Sequence, residues 1–223
     1  MSNIDSAPDE PTIRRASWKQ DPEGVKANIL AVALEEFSRN GLSGARMNEI
    51  AAKTQTSKRM IYYYFGDKDG LYLKVLEAAY QEVRQGEEKL DLDHLPPTEA
   101  LERLVEFTFD HHRKNPDFIR LVMIENIHHG SYLAHSDVIR KMNKAAISQI
   151  EEIYNKGVST GVFRQGLDPR RIHWMISAMS FFNVSNAATF SLLFGADLQT
   201  DEEQSALRAE VGQIVTKFVV LNG

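Results

Sequence analysis

The sequence predicts an all-α protein: a small N-terminal three-helix unit followed by a larger helical part. Three observations carry this. Apolar residues recur at spacings of three and four along most of the chain. Asp-Pro, Asn-Pro, Ser-Asp and glycine punctuate these runs where helices start and stop. No alternating strand-like run and no fixed-period repeat occurs. The 223 residues suffice for a substantial core, and 43% hydrophobic with 26% charged content is that of a soluble globular protein.

Composition narrows the chemistry. The chain has no cysteine, which excludes disulfides, thiolate catalysis and cysteine-ligated zinc. The N-terminus lacks an apolar signal core, and no run approaches the ~20 apolar residues of a membrane span, so a cytoplasmic protein without a membrane partner is expected. Residues 1–20 are polar, carry Pro8 and Pro11, and read as a disordered tail. Arg14, Arg15 and Lys19 within it read either as a basic arm for a DNA backbone or minor groove, or as a solvated tail; the second is favoured.

The first helix opens at Asp21-Pro22, an N-cap followed by proline at the first helical position, and Gly41 closes it. Ile29, Ala33 and Phe37 mark its apolar face. Residues 46–68, RMNEIAAKTQTSKRMIYYYFGDK, then read as a helix–turn–helix and the start of a further helix. Met47, Ile50 and Ala51 share one face of a short helix. Thr54-Gln55-Thr56-Ser57 breaks the period with small polar residues that favour turns and N-caps. The next helix ends at Gly66, which suits the left-handed position past a helix end. Ile29, Phe37, Ile50, Ile61 and Phe65 are the expected centre of this unit, residues 21–66.

At about 100° per residue, Ile61 and Phe65 fall on one side of the second short helix, and Arg59, Met60 and Tyr63 on the other. An outward arginine, methionine and tyrosine suit a DNA major groove, where arginine pairs with guanine and apolar groups meet the thymine methyl. The alternative is a helical hairpin within a bundle, its three tyrosines forming core or rim. Charge favours DNA. Arg39, Arg46, Lys53, Lys58, Arg59 and Lys68 face only Glu49 and Asp67, a local net charge of +4 in a chain of formal net charge −5.

The segment from Gly41 through Leu71, with IA at 50–51, SKRMIYYYF at 57–65 and GDKDGLY at 66–72, resembles the N-terminal domain of tetracycline-repressor-type (TetR family) regulators. The resemblance covers about the first third of the chain. It implies a dimeric, all-helical transcription factor controlled by a ligand. By position, the family's DNA contacts fall on Asn48, Lys58, Arg59, Met60, Tyr62, Tyr63, Tyr64 and Lys68. Two residues depart from the pattern. Arg46 stands where the family has a threonine or serine cap, removing a hydroxyl and adding a cation for phosphate or base. Gln55 replaces the glycine of the turn, and glutamine tolerates positive φ poorly.

Asp67 caps the next helix, which carries Leu71, Val75 and Leu76 and is expected to end near Gly86. Residues 67–90 form the linker helix and so the natural lever. After the connector DLDHLPP at 91–97, helices are expected from Thr98 to Lys114, from Asn115-Pro116 to about Gly130, from Ser136-Asp137 to near Gly161, and from Asp168-Pro169 to Gly195. Thr200-Asp201-Glu202-Glu203 is a capping box for the last one. That helix carries Leu207, Val211, Ile214, Val215 and Phe218 as a stripe, and the helix before it is apolar or small almost all round. Pairing these last two helices with a second copy gives a four-helix homodimer interface, as the resemblance implies. Such a dimer sets its recognition helices about 34–36 Å apart on a palindromic operator. The alternative is a purely intramolecular core.

The middle helices, within residues 91–223, are expected to enclose an effector pocket. Candidates are Phe107, His111, Met123, Glu125, Asn126, His129, Trp174, Ser177 and Phe181, aromatic walls with a few polar groups; plain core is the competing reading. Gly157-Val158-Ser159-Thr160-Gly161 matches G-x-S-x-G, but a nucleophile elbow needs a preceding strand, and a helix precedes it here. His111, His112, Glu125, His128, His129 and His135 contain no H-E-x-x-H, and adjacent histidines diverge on a helix, so no metal is assigned. No phosphate-binding glycine loop occurs, and no cofactor is expected. The expected function is a sequence-specific, DNA-binding transcription regulator, a repressor released from double-stranded DNA by a small-molecule effector, and not an enzyme. The competing reading is an all-helical small-molecule or metal sensor that has lost DNA reading.

Overall fold

The computed structural model describes residues 21–54, 56–195 and 198–221, and the expectations for the N-terminal tail and for Gln55 fall outside them. Among the described residues the chain is helical, with one isolated antiparallel bridge between Phe163 and Val220. The N-terminal unit is α1 (Pro22–Gly44), α2 (Met47–Lys53) and α3 (Lys58–Phe65). Then come α4 (Lys68–Glu88), α5 (Pro97–Lys114), α6 (Pro116–Ile127), α7 (Asp137–Ser159), α8 (Pro169–Ser185), α9 (Ala187–Phe194) and α10 (Asp201–Val219).

The caps explain most boundaries. Side chains of Asp21, Ser57, Asp67, Ser136, Asp168 and Thr200 each accept a hydrogen bond from a first-turn amide of the helix they precede. Gly41 takes φ 65 and ψ 175 and kinks the end of α1, and Gly66 takes φ 79 after α3. Asn115 differs from the others: its amide donates to the His111 carbonyl, so it closes α5 instead of capping α6.

Three boundaries depart from expectation. Gly86 lies inside α4, which continues to Glu88; a Cβ there would sit 2.4 Å from Phe107 Cζ, so this glycine permits close packing and does not stop the helix. α6 ends at Ile127, short of Gly130, because His129 and Gly130 both adopt positive φ. The helix expected to run from Pro169 to Gly195 breaks at Asn186. Ser185 Oγ donates to Asn186 Oδ1, Asn186 leaves helical geometry at ψ 1, and the chain restarts as α9.

Two apolar cores hold the fold. The first joins α1, α2 and α3 to α4, α6 and the start of α7, with Ile29, Phe37, Ile50, Ile61, Leu71 and Tyr72 fully enclosed and Phe65 packed at its edge. The second packs α5, α7, α8 and α10 around Leu101, Val105, Phe109, Ile176 and Val215. The N-terminal unit is therefore fastened to the rest of the chain through α6 as well as through α4. Ser38 Oγ on α1 donates to Asp117 Oδ1 on α6 at 2.9 Å.

Candidate nucleic-acid interface and effector cavity

α3 is amphipathic over two turns. Ile61 is sealed in the core while Lys58, Arg59, Tyr62 and Tyr63 remain exposed, Tyr63 at 76%. Met60 is half-buried, so it turns further inward than its helical angle suggests. Lys58 Nζ lies 5.7 Å from the Tyr62 ring centroid, and Lys26 Nζ of α1 lies 5.5 Å from that of Tyr64, which is half-buried against Phe65. Each of these two rings thus has a lysine ammonium beside it. Among the described residues, Arg46, Lys58, Arg59 and Lys68 have no carboxylate within ion-pair distance, whereas Arg39 and Lys53 both pair with Glu35. Lys68 Nζ donates to the Ser43 carbonyl at 3.3 Å, tying α4 to the end of α1.

α2 starts without a side-chain cap. Instead the Arg46 amide donates to Glu36 Oε1 at 3.0 Å, and Asn40 Nδ2 donates to the same oxygen. Glu36 is buried on α1, so it fixes the start of α2 and leaves the Arg46 side chain exposed beside exposed Asn48. An exposed face of tyrosines and of cations without a carboxylate partner, on a short, capped helix, can neutralise phosphates and reach base edges.

A cavity of about 400 Å³ lies between α4, α5, α6, α7 and α8. Tyr80, Phe118, Trp174 and Phe181 give it aromatic walls, and Asn126, Asn143, Gln149 and Ser177 add neutral polar groups. Its charged residues are Arg84 and Glu87, paired at i, i+3 on α4. Burial pushes the Glu87 carboxyl up, against the pull of the Arg84 guanidinium. His112 on α5 and His173 on α8 complete the wall. Burial, helped by neighbouring His111, lowers the His112 pKa to about 4, and burial also lowers that of His173. Both rings are therefore neutral at pH 7. A second cavity, of about 490 Å³, lies between α8, α9 and α10 against Phe109, Met179, Phe182 and Phe190, and it does not touch α4.

Residues 29–75 match the family described as bacterial regulatory proteins, tetR family, and residues 97–215 match the tetracyclin repressor-like C-terminal domain, which covers over half of the chain. The chain belongs to the TetR family. The HTH-type transcriptional repressor NicS of Pseudomonas putida is 34% identical over 179 residues, spanning 80% of this chain and 84% of that protein. The HTH-type transcriptional repressor SCO4008 of Streptomyces coelicolor is 26% identical, spanning 89% and 98%. A tetR-family regulatory protein from Rhodococcus RHA1 superposes with a TM-score of 0.71 at 17% identity, over 89% of this chain and 98% of that one. This TetR-family protein is a DNA-binding transcription regulator and not an enzyme.

Of the effector candidates expected from sequence, Asn126, Trp174, Ser177 and Phe181 line the α4–α8 cavity of this TetR protein. Phe107 and His111 line a separate groove beside Arg103 and Arg208, because the adjacent histidines point apart and His112 takes the inward position. Met123 packs against the first core and lines neither space. His129 is exposed on the loop after α6. Glu125 is buried and serves as a tie. It accepts from Tyr72 Oη of α4 at 3.0 Å and from the Tyr132 and Leu133 amides at 3.2 and 3.1 Å. The cavity residues missed from sequence include Tyr80, Arg84, Glu87, His112, Phe118, Asn143, Gln149 and His173. A signal existed for two of them, since Glu87 lies four residues after buried Val83 and Arg84 four after Tyr80, in phase with the buried face of α4.

The remaining motifs are structural. Ser159 lies in the last turn of α7, and a Cβ on Gly157 would sit 2.0 Å from the Phe163 ring, so that glycine makes room for an aromatic side chain. His128, His129 and His135 lie at the surface, and among the described residues no group of three His, Asp or Glu is placed to hold a metal ion.

Proposed function

We propose that this regulator represses transcription as a cytoplasmic homodimer bound to a palindromic operator, and leaves the DNA when a small molecule occupies the cavity between α4 and α8. Residues 21–66 form the DNA-binding domain in this reading, 67–90 the linker and 91–223 the effector and dimerisation domain. The observation that carries it is the exposed face of α3, where Lys58 and Arg59 have no acidic partner among the described residues and Tyr63 stands in solvent. Arg59, Met60 and Tyr63 read bases, while Arg46, Asn48, Lys58, Tyr62, Tyr64 and Lys68 position the backbone.

The dimer forms through α8, α9 and α10. Val211 and Val215 of the expected stripe pack inside the chain, so Ile214 and Phe218 are its outward members, joined by Phe182 and by Leu192, Leu193 and Phe194 of α9. A patch of this kind suits burial against a second copy. Coupling needs an effector that favours one arrangement over another, typically by about 1–3 kcal/mol. The cavity wall contributes the last turns of α4, whose first turns hold the N-terminal unit through Leu71 and Tyr72, and α4 is tied to α6 by the Tyr72–Glu125 bond.

Binding to DNA upstream of the protein's own gene, measured by fluorescence anisotropy at two salt concentrations, tests the reading. Lys58→Ala is expected to weaken binding on every sequence alike and to reduce the salt slope of the dimer by about 1.8, or about 0.9 for each protomer. Tyr63→Ala is expected to change which sequences are preferred. Affinity and salt slope that neither substitution alters would refute the assignment of α3.

A further inference from the structure

We infer that the effector is a small organic acid with an aromatic body, whose carboxylate takes the Arg84 guanidinium in place of Glu87. The inference rests on reading the α4–α8 cavity as the effector site and adds the chemical class of its ligand. The cavity has one permanent cation, Arg84, and one carboxylate, Glu87, whose side chains are 14% and 9% exposed. Arg84 Nη1 donates to Glu87 Oε2, while Arg84 Nε has no partner among the described residues. A guanidinium offers five N–H groups in a planar fork that matches a carboxylate, so this one is under-used.

The charge of the wall can adjust in one direction. His112 and His173 are neutral and can only gain positive charge, and Glu87, pushed up by burial, can become neutral by taking a proton. Either change accommodates an incoming anion. A cationic ligand would have to draw Glu87 away from Arg84 and leave a buried guanidinium without a counter-ion, which is the costly way to break a buried pair. A neutral ligand could satisfy Arg84 Nε but could not replace the carboxylate.

The body of the ligand follows from the walls. Tyr80, Phe118, Trp174 and Phe181 come from α4, α6 and α8 and line a space of about 400 Å³, and aromatic walls around so small a space suit a small aromatic molecule. Arg84 and Glu87 also lie in the last turns of α4. An exchange of partner there acts directly on the helix that carries the N-terminal unit at its other end.

The test is a matched panel on the full-length protein: benzoate and 1-naphthoate, their amides, and benzylamine and 1-naphthylmethylamine, with binding read by calorimetry. The acids are expected to bind and the amides and amines to bind at least about tenfold more weakly. Glu87→Gln, which removes the competing carboxylate, is expected to tighten acid binding. Arg84→Gln/Glu87→Gln, which removes both charges together and avoids an unpaired buried ion, is expected to weaken it at least about tenfold. Failure of every acid to bind, equal affinity for amides or amines, or unchanged acid affinity in the double variant would overturn the inference. The same compounds are assayed for DNA release. Release by an amide or amine but not by an acid keeps the cavity as the effector site and overturns the ligand class. Acids that bind through Arg84 without releasing DNA support the ligand class and refute the effector reading.

Discussion

Replacing Tyr72 with phenylalanine removes one oxygen atom from the junction between the N-terminal unit and α6. The ring is fully enclosed and stacks edge-on against Phe37 at 5.1 Å and Tyr132 at 5.0 Å, so the substitution leaves the packing in place. What is lost is a 3.0 Å hydrogen bond to the carboxylate of Glu125, itself 1% exposed. A hydrogen bond to a charged group contributes about 1.5–3 kcal/mol, and Glu125 keeps the Tyr132 and Leu133 amides as partners. Tyr72→Phe is therefore expected to lower the free energy of unfolding by about 2 kcal/mol. The second tie of α4, Ser136 Oγ to Glu77 Oε1 at 2.8 Å, stays intact and limits the loss. The assay is urea unfolding followed by circular dichroism at one fixed protein concentration, because dimerisation makes apparent stability depend on concentration. A cycle with Glu125→Gln isolates the pair, with an expected coupling of about 1–2 kcal/mol. Additivity within about 0.5 kcal/mol would refute the reasoning that this bond fastens α4 to α6.

Two further perturbations follow from buried histidine and exposed apolar groups. The His112 pKa falls from 6.5 to about 4 on folding, so the unfolded chain takes up the proton first. Its contribution is fully present above about pH 6.5 and is lost as pH falls toward about 4, a total of roughly 3 kcal/mol. His112→Gln is expected to flatten the decline in urea midpoint between pH 7 and 4.5, and an unchanged decline would contradict the buried neutral ring. Ile214→Glu places a charge on the outward face of α10, where the side chain is 54% exposed in the single chain. A two-fold interface counts the loss twice, roughly 1.5–3 kcal/mol for the exposed half of the two side chains, and adds the cost of burying two carboxylates, so sedimentation at micromolar concentration is expected to give a monomer. A variant that sediments as a dimer would move the interface elsewhere.

The parts of this molecule that were legible in the sequence are those set by local rules. Asp21-Pro22, Ser136-Asp137 and Asp168-Pro169 mark helix starts because a short side chain there accepts from the first turn, and all three do so. The burial of Ile61 and the exposure of Arg59 and Tyr63 follow from helical angle alone. Non-local packing was hidden. Gly86 resembles a helix stop, yet it is glycine because the Phe107 ring of α5 lies against it, and Gly157 is glycine because the ring of Phe163, in the segment after α7, lies against it. Nothing in the pair His111-His112 says which ring turns inward. Arg84 and Glu87 lie in phase with the buried face of α4, but that phase does not say whether core or cavity lies opposite, and only the packing of α5 and α8 over them makes a cavity wall. Glu36 likewise gave no sign that it would support an uncapped α2 from the neighbouring helix.

The central claim is that α3 reads DNA as half of a two-fold assembly. The most direct measurement is selection from random double-stranded DNA by the purified full-length protein, followed by sequencing of the bound pool. The expected result is enrichment of one inverted repeat whose half-sites are centred about one helical turn apart, 10–10.5 bp or a multiple of it. A pool without enrichment, or one enriched in a single unrepeated site, would contradict it.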